Sequence, residues 1–479
     1  MKLNKLFEGA PDLEIDTLSI DSRKKTKNGL FFCLEGLQTD GHLYVEQAIK
    51  NGAVAICYNK EIANKNGAVF IKVNNVNKTL GRVASAFFDN PSKKISLIGT
   101  TGTHGKSSVS SIVKDLIDIG GNCGYIGALG ITYNDINIKQ SLSTPSVIEL
   151  NYYFNEMINN GCVACSMEVS SIGIDQKRVE GLDFDVAAFT NFSENHTDYH
   201  ASINDYFLAK KKFFDDLKTE SLAVVNADDA YAGKIVEDCK ANIVTYGIDN
   251  SADYMAYDIK LLPNETSFTL NARGRVYRII TNLVAKFNVY NVLCALAIVN
   301  EAGYDVEQLT KKLQHLRQIE GRLERLDLGQ NFNCFIDFTH SITGLKYVFE
   351  FAKAITPKDS RIIAVFGCVG RRDTNKRQLI GELADNYSDL IILTEDDPKD
   401  ENVFEIINDI EAGITSKNHL IIEDRKEAIN MAVSMMNAHD TLLILGKGNE
   451  CFIERKNGRD EYDGDVEIAK DAIRDLLIN

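Results

Sequence analysis

The first candidate for chemistry is a glycine-rich stretch, Gly-Thr-Thr-Gly-Thr-His-Gly-Lys-Ser-Ser, at residues 99–108. It follows the apolar run at 95–98 and precedes a helix-like segment. Such a turn presents converging backbone N–H groups, while Lys106 can reach β- and γ-phosphates and Ser107 can bind Mg²⁺. A turn that merely reverses the chain would leave Lys106 unexplained. The spacing departs from GxxxxGK because Thr100 stands where the first Gly belongs. The stretch therefore predicts a nucleotide-binding loop of a less common kind.

The elements that must position this loop predict an α/β protein of three domains. A chain of 479 residues exceeds one ordinary core, and Pro91 discourages continuation of the preceding helix. Near-continuous apolar strands in the last third suit a sheet covered on both faces. Residues 253–284 alternate apolar and polar and predict antiparallel strands. We expect a small N-terminal α/β domain at 1–92, a central parallel-sheet ATPase domain of the P-loop type at 93–321, and a Rossmann-like, doubly wound C-terminal domain at 322–479.

Composition excludes several classes of protein. A formal charge of −15 argues against a large nucleic-acid interface, which needs clustered Lys and Arg. No run of 18 or more apolar residues predicts a membrane span, and the first residues lack the apolar stretch of a signal peptide. We therefore expect a cytoplasmic protein, and a monomer. The ten cysteines lie mostly in apolar runs, and Cys162 and Cys165 lack a second pair to complete a zinc site, so we expect them to be structural.

Further motifs, in order and spacing, extend the pattern over nearly the whole chain. With the loop, they resemble the Mur ligase superfamily, and within it the MurE type. The motifs are Leu18–Arg23, Asp40–His42, Ser143–Pro145, Met167–Ser171, Asp175–Arg178, Asp185–Asn191, His196–His200, Phe287–Asn291, Gly321–Arg325, Asp337–His340, Arg372–Arg377, Asp396–Lys399 and Gly446–Glu450.

The resemblance implies a reaction. A peptide carboxylate takes a phosphoryl group from ATP, and an amine attacks the resulting acyl phosphate to form an amide. The substrates implied are UDP-N-acetylmuramoyl-L-Ala-D-Glu and a free diamino acid, which becomes the third residue of the peptidoglycan stem peptide. Because an anionic carboxylate must approach an anionic phosphoryl group, we expect metal ions and lysines to offset the repulsion between them.

The resemblance also implies roles for particular residues. Lys106, Glu168, His196 and Lys210 form the catalytic set, and Ser107, Glu168 and His196 hold Mg²⁺. The ATP contacts implied are Gly102, Thr103, Gly105, Lys106, Ser107, Ser108, Asn288, Asn291, Arg322, Asp337 and His340. Residue types alone leave a second interpretation of His196 open, as an ordinary loop histidine.

Lys210 matches the family lysine that is carbamylated and thereby becomes a carboxylate-like metal ligand. Sequence alone also allows a solvated face of three lysines, 210–212, on an amphipathic helix. Only the resemblance distinguishes Lys210 from its two neighbours.

The remaining implied contacts are with the substrates. Ser22 and Arg23 match the uridine site, although Arg23 and Arg178 could also be surface cations. The dipeptide contacts implied are Ser143, Thr144, Ser170, Gln176 and Arg178. The incoming amino acid would meet Arg372, Asp396, Asp397, Lys399, Gly446 and Glu450.

The identity of the incoming amino acid is the open question. In the family, an Asp-Asn-Pro-Arg motif is associated with meso-diaminopimelate, whose distal carboxylate the Arg can bind through two hydrogen bonds. This chain has Asp-Asp-Pro-Lys at 396–399. Lys399 keeps the positive charge without the planar fork, which favours a second carboxylate. Asp397 instead favours a side chain that ends in an ammonium group, so the two indications conflict.

Some positions depart from the usual pattern. Examples are His104 where Asn is common, Ile172 where His is usual, and Asn449 where His precedes Glu450. Three hypotheses stay open: the third-residue peptidoglycan ligase, another ATP-dependent amide ligase of the superfamily, and a nucleotide-binding scaffold without catalysis. The three hypotheses differ in whether the protein releases phosphate from ATP and in which amine this release requires.

Overall fold

The computed structural model describes residues 1–36, 39–62, 67–140, 142–193, 199–372, 374–416 and 418–478. The N-terminal part is a four-stranded parallel sheet with strands in chain order. Its elements are α1 (Leu3–Leu6), β1 (Thr17–Ser19), β2 (Gly29–Phe32), α2 (Val45–Lys50), β3 (Ala53–Tyr58), β4 (Val69–Lys72) and α3 (Val76–Phe87).

The central part contains the largest of the described sheets, with eleven strands. Its elements are β5 (Ser96–Thr101), α4 (Lys106–Ile117), β6 (Asn122–Gly127), β7 (Gly130–Tyr133), β8 (Ile136–Ile138), α5 (Val147–Asn159), β9 (Cys162–Glu168), α6 (Ser171–Asp175), β10 (Val186–Phe189), α7 (Ile203–Asp215), β11 (Leu222–Asn226), α8 (Ala232–Ile235), β12 (Asn242–Gly247), β13 (Tyr254–Leu261), β14 (Thr266–Ala272), β15 (Arg275–Thr281), α9 (Lys286–Glu301) and α10 (Val306–Leu313).

The order of this central sheet is β15-β14-β13-β12-β11-β10-β5-β9-β6-β7-β8. The middle, from β13 to β6, is parallel, and antiparallel hairpins extend both edges. The antiparallel strands predicted at 253–284 are thus confirmed. Strand β5 lies between β10 and β9, so the loop after it opens near the middle of the sheet. Ligands of open parallel sheets bind at this carboxyl edge.

The C-terminal part is a six-stranded sheet in the order β16-β17-β21-β18-β19-β20, followed by a two-stranded hairpin. Only the β16–β17 pair of this sheet is antiparallel. Its elements are β16 (Glu324–Leu326), β17 (Asn333–Asp337), α11 (Ile342–Ile355), β18 (Ile362–Phe366), α12 (Arg377–Tyr387), β19 (Leu390–Leu393), α13 (Val403–Glu411), β20 (His419–Ile421), α14 (Arg425–Ser434), β21 (Thr441–Leu445), β22 (Phe452–Arg455), β23 (Gly458–Glu461) and α15 (Asp465–Ile478).

Apolar cores on the two faces of each large sheet explain the stability of this arrangement. Helix α9 is buried almost all round, which fits its continuous apolar sequence. It packs on α4, so it supports the helix that follows the glycine-rich loop. Val284 and Ala285, just before α9, belong to the apolar core of the C-terminal sheet. The central and C-terminal sheets are therefore joined through the start of α9.

The predicted fold class is confirmed: a mixed α/β chain with a central parallel sheet and a doubly wound C-terminal sheet. In the part of the chain that the structure describes, no helix is long and apolar enough to cross a membrane.

Candidate active site

The glycine-rich loop connects β5 to α4, as predicted. Gly102 and Gly105 have φ angles of 149° and 85°, in the region that favours glycine. A Cβ atom on Gly102 would lie 1.8 Å from Thr190 Oγ1, and one on Gly105 would lie 2.6 Å from Asn291 Oδ1. Both glycines are therefore required by backbone conformation and by the close approach of neighbours.

The loop is suited to an anion. Helix α4 begins after Gly105 with no side-chain cap and no acidic residue in its first turn, so its first N–H groups are available to a ligand. The Lys106 ammonium turns back onto the loop and donates to the carbonyls of Gly102 at 3.0 Å and Thr103 at 3.1 Å. Burial lowers the pKa of Lys106, and Glu168 opposes that effect. Ser107 and Ser108 lie buried in the first turn of α4.

Glu168 ends β9 and lies opposite Thr100 of β5, beside the loop. Its side chain is 2% exposed. One carboxylate oxygen, Oε1, accepts hydrogen bonds from Tyr125 Oη and the Ala128 backbone N–H, both at 2.8 Å. These donors hold an anionic oxygen-ligand group at the carboxyl edge of the sheet, where a hard cation such as Mg²⁺ prefers oxygen ligands.

Lys210 lies inside the same site, not on a solvated face. Its ammonium is 2.8 Å from the Gly102 carbonyl and 4.6 Å from the centre of the Tyr206 ring, and the residue is 1% exposed. Burial, and then the charge of Lys106, holds the pKa of Lys210 well below its ordinary value. The neighbouring Lys211 instead pairs with Asp215 and Asp238. The tertiary structure thus distinguishes lysines that the sequence pattern could not.

His196 lies outside the described residues. Within the ranges that the structure describes, no three side chains of the types His, Cys, Asp and Glu converge as a metal-ligand group. The Mg²⁺ set predicted with His196 stays a prediction for that residue. All ten cysteines are free, and Cys162 and Cys165 are buried in β9, in agreement with a structural role.

Two asparagines on α9 lie over the loop. Asn291 Oδ1 is the atom that a Cβ on Gly105 would approach most closely, and Asn291 Nδ2 donates to Asn288 Oδ1 at 2.8 Å. Asn288 Nδ2 in turn donates to the Val284 carbonyl at 2.7 Å. This chain of hydrogen bonds fixes both amides at the border between the central and C-terminal sheets.

The C-terminal sheet contributes a second cluster of charged and aromatic side chains near the end of β17. The guanidinium of Arg322 lies 4.6 Å from the Phe338 ring centre, and the carboxylate of Asp337 accepts the backbone N–H groups of Leu323 and Thr339. Burial raises the pKa of Asp337, and Arg322 opposes that effect. The His340 ring packs edge-on against Phe338.

His104 joins this group to the loop. Its Nε2 lies 3.3 Å from Ser341 Oγ, which also caps α11, and its backbone N–H donates to Asn191 Oδ1 at 2.9 Å. Burial, followed by the charges of Lys106 and His340 among others, lowers the pKa of His104 to about 3. The imidazole is therefore neutral at physiological pH.

The predicted dipeptide residues come together next to Glu168. Thr144 Oγ1 bonds to the Glu168 carbonyl at 3.0 Å and to Ser170 Oγ at 3.1 Å. Arg178 donates to the Thr144 carbonyl at 2.8 Å and to Gln176 Oε1 at 2.6 Å. Because Arg178 is integrated in this way, and burial lowers its pKa, it is not an ordinary surface cation.

The two predicted uridine residues differ from each other. Ser22 is buried and donates to Gln47 Oε1 at 3.1 Å. Arg23 is 81% exposed and makes two 2.9 Å hydrogen bonds to the Asp21 carboxylate, which holds the pKa of Asp21 at about 2. Ser143 is half-buried and immediately precedes Thr144.

The predicted amino-acid residues lie at the carboxyl ends of β19 and β21. Asp396 and Asp397 are buried there, and a Cβ atom on Gly446 would lie 2.4 Å from Asp396 Oδ2. Glu450 follows Gly446 in the next turn. Lys399 has a φ of 55° and is half-buried. Arg372 is also half-buried, in the connection between β18 and α12.

Sequence reasoning missed three residues that organise this site. They are Tyr125, which holds Glu168; Tyr206, which lies under Lys210 and bonds Thr103 Oγ1 at 3.1 Å; and Lys447, which is buried between two carboxylates. Spacing could have indicated Tyr206, which is four residues before Lys210 on one helix. For Lys447, the indication in the sequence was its position two residues after the apolar strand β21.

Comparisons with known proteins agree with this geometry. The model of the Mur ligase family, catalytic domain, matches residues 14–88, the Mur ligase middle domain matches 100–299, and the Mur ligase, glutamate ligase domain matches 321–448. A relative from Caldanaerobacter subterraneus subsp. tengcongensis is 37% identical and covers 93% of this chain and 92% of its own. One from Clostridioides difficile is 36% identical and covers 99% of each. Both are named UDP-N-acetylmuramoyl-L-alanyl-D-glutamate--2,6-diaminopimelate ligase.

Solved structures give the same result. A structure of a UDP-N-acetylmuramoyl-L-alanyl-D-glutamate--2,6-diaminopimelate ligase superposes with a TM-score of 0.73 at 27% identity, covering 100% of this chain and 99% of its own. A MurF ligase from Thermotoga maritima in complex with ADP shares the fold, with a TM-score of 0.66 at 16% identity, over 96% of this chain and 98% of its own. Because the family models cover most of the chain and full-length relatives exceed 30% identity, this protein belongs to the Mur ligase family.

Proposed function

We propose that this Mur ligase is an ATP- and Mg²⁺-dependent amide ligase that adds a diamino acid of the diaminopimelate class to UDP-N-acetylmuramoyl-L-Ala-D-Glu. The observation that carries the proposal is the convergence of Lys106 and Lys210 on one carbonyl, that of Gly102, at 3.0 and 2.8 Å. A buried Lys106 at a phosphate loop suits the transfer of an anionic phosphoryl group to an anionic carboxylate, and Lys210 beside it would be a metal ligand once carbamylated. The names of the full-length relatives support the same substrates.

The residues of the loop fit a nucleotide. The uncapped N-terminus of α4 and Lys106 would bind its phosphates, and Asn291 lies within reach of the loop. Ser107, Glu168 and, as a prediction, His196 would hold Mg²⁺, which neutralises charge on the phosphates. The proposed nucleotide contacts are Gly102, Thr103, Gly105, Lys106, Ser107, Ser108, Asn288, Asn291, Arg322, Asp337 and His340.

The proposed chemistry has two steps. The D-Glu side-chain carboxylate attacks the γ-phosphorus of ATP, the bond to the β-phosphate oxygen breaks, and ADP leaves. The amine of the incoming amino acid then attacks the acyl phosphate carbon, and phosphate and one proton leave as the amide forms. Lys106, at the glycine-rich loop, would offset the charge that develops in the first step.

We propose that Lys210 is carbamylated. Carbamylation requires a neutral amine, and burial lowers the pKa of Lys210. The product is an anionic oxygen donor in place of an ammonium group, which suits a site that binds Mg²⁺. The same change relieves repulsion between two buried cations, since Lys106 and Lys210 bond to one carbonyl.

We propose that the three parts of the chain, which end at residues 92, 321 and 479, bind different portions of the substrates. Residues 1–92 would bind the uridine nucleotide through Ser22 and Arg23. The dipeptide would contact Ser143, Thr144, Ser170, Gln176 and Arg178, next to Glu168. The amino acid would contact Arg372, Asp396, Asp397, Lys399, Gly446 and Glu450. We expect a monomer that acts in the cytoplasm, where ATP is available.

A phosphate-release assay tests the proposal. The full-length protein is given ATP, Mg²⁺ and UDP-N-acetylmuramoyl-L-Ala-D-Glu with meso-diaminopimelate, L-lysine or L-ornithine in parallel. We expect release that depends on the dipeptide and is fastest with meso-diaminopimelate. Lys106→Met is the control and should lower kcat by at least about 100-fold. Release with an unrelated acid or amine, and none with this dipeptide, would instead indicate another amide ligase of the family, and no release with any amine would indicate a scaffold.

A further inference from the structure

Four carboxylates surround the proposed amino-acid site at the carboxyl edge of the C-terminal sheet. Glu395, Asp396 and Asp397 follow β19, and Glu450 follows β21. The first three are each less than 10% exposed. Buried carboxylates remain ionised only when cations or hydrogen-bond donors compensate them, so the partners of each one decide the charge that a ligand meets.

Lys447 pairs with two of the four and offsets one of their two negative charges. Its ammonium, whose side chain is fully buried, lies 2.7 Å from Asp397 Oδ1 and 2.8 Å from Glu450 Oε2. Asp397 Oδ1 also accepts the backbone N–H of Glu454 at 2.8 Å. The Phe452 ring lies below the ammonium, 4.7 Å from its centre. Lys447 is thus held in one position, and one of the two Asp397 oxygens is fully engaged by donors of the protein.

A separate cation compensates Glu395. Arg455, on β22, binds Glu395 Oε2 at 2.7 Å and Asp460 at 2.8 Å. Arg425, the largest fully buried side chain nearby, is paired in two hydrogen bonds with Asp465. These pairs engage Glu395 and Arg425. Burial raises the pKa of Asp396 to about 6, and the charges of Arg425 and Lys447 oppose that rise.

Asp396 and Lys399 lie outside these pairs. Asp396 Oδ2 is buried and has no hydrogen-bond partner among the described residues. Within the same ranges no ion pair includes the Lys399 ammonium, while its backbone is fixed by a hydrogen bond from its N–H to the Glu454 carbonyl at 2.9 Å. One anionic and one cationic group at a site match a ligand end that carries both an ammonium and a carboxylate.

We propose that Lys447 is a specificity-determining positioning residue: by binding Asp397 and Glu450 together, it offsets one of their two negative charges and makes the site select a distal amino-acid end over a distal ammonium alone. The inference rests on the proposed function. It resolves the conflict in the sequence, because Asp397 then behaves toward a ligand like a neutral residue. A diaminodicarboxylic acid such as meso-diaminopimelate is favoured over L-lysine for that reason.

The test is the ratio of kcat/KM for meso-diaminopimelate to that for L-lysine. Lys447→Met leaves two uncompensated carboxylates, so we expect the ratio to fall by at least about tenfold, as one unpaired charge a few Å from a ligand can cause. Lys447→Arg keeps the charge and should stay within about threefold of wild type. The double variant Lys447→Met, Asp397→Asn removes one of each charge and should recover most of the ratio.

Further measurements keep the result interpretable. ADP affinity by calorimetry reports whether each variant is folded, and we expect values within about twofold of wild type because the Lys447 ammonium bonds to Asp397 and Glu450, which are not among the proposed nucleotide contacts. If Lys447→Met does not fold, Asp397→Asn alone decides: it changes the charge of the set Lys447, Asp397 and Glu450 from one negative charge to neutral and should raise the ratio. An unchanged ratio in Lys447→Met, no recovery in the double variant, or a lower ratio in Asp397→Asn would overturn the inference. Absence of turnover in the wild-type protein would instead overturn the proposed function.

Discussion

At the scale of single residues, the site depends on two buried lysines whose pKa values are lowered, whereas the pKa of a lysine next to one of them is raised. Lys106 and Lys210 both bond to the Gly102 carbonyl, and burial lowers both pKa values. Lys211, the next residue on α7, pairs with Asp215 and Asp238, and these carboxylates outweigh its burial and raise its pKa. A neutral amine reacts with CO₂ and an ammonium does not, so the chemistry of the two adjacent lysines should differ.

We predict that Lys210, and not Lys211, forms a carbamate. With ¹³C-labelled bicarbonate, the wild-type protein and Lys211→Ala should show a carbamate carbon signal by NMR, and Lys210→Ala should not. Lys210→Ala should also lower kcat by at least about 100-fold, because it removes a charged group from the transfer site. A signal that persists in Lys210→Ala would show that another amine is modified.

At the scale of elements, helix α7 determines where Lys210 lies. It begins after Ser202, whose hydroxyl accepts the backbone N–H of Asp205 at 3.1 Å. Tyr206 and Lys210 are one turn apart on the same face, so the helix places both at the loop together. The cap at Ser202 therefore fixes the first turn of this helix.

We predict that the Ser202 cap contributes measurably to stability. Ser202→Ala should lower the free energy of unfolding by about 1 kcal/mol, because an N–H group of the first turn loses its acceptor. Ser202→Thr keeps the hydroxyl and should stay close to wild type. Urea denaturation followed by circular dichroism checks both, and equal midpoints for the two variants would contradict the role of the cap.

At the scale of the whole molecule, His104 connects the nucleotide loop with the C-terminal sheet through Ser341. Burial, followed by the charge of Lys106 and smaller contributions from other neighbours, lowers the pKa of the imidazole to about 3. An unfolded histidine has a pKa of about 6.5. Between these values the unfolded chain binds a proton that the native chain does not, so acid destabilises the native arrangement by up to about 1.4 kcal/mol per pH unit.

We predict that His104 makes the protein sensitive to mild acid. The stability that its neutral form contributes is complete above about pH 6.5 and declines as the pH falls toward 3. Between pH 7 and pH 5 the melting temperature of wild type should fall by roughly 4 °C more than that of His104→Asn. Differential scanning fluorimetry of the two proteins measures this, and parallel curves would show that His104 does not titrate in this way.

The sequence was sufficient for the loop, the three-part α/β organisation and the family. These depend on local rules: glycines at positive φ before a helix, apolar strands of parallel type, and polar residues at strand ends. The loop between a strand and a helix at residues 99–108 and the antiparallel strands after residue 253 follow from the same rules, and both are confirmed. Nothing beyond the residue types and their spacing was needed for them.

Only the tertiary structure decided which charges remain available. Lys210 and Lys211 are equivalent in sequence, yet one lies at the loop and the other in ion pairs. Asp397 and Lys447 are 50 residues apart, and their 2.7 Å contact exists because β19 and β21 end at the same edge of one sheet. Burial and long-range pairing set the charge of a group, and both are properties of the packed chain that local sequence does not contain.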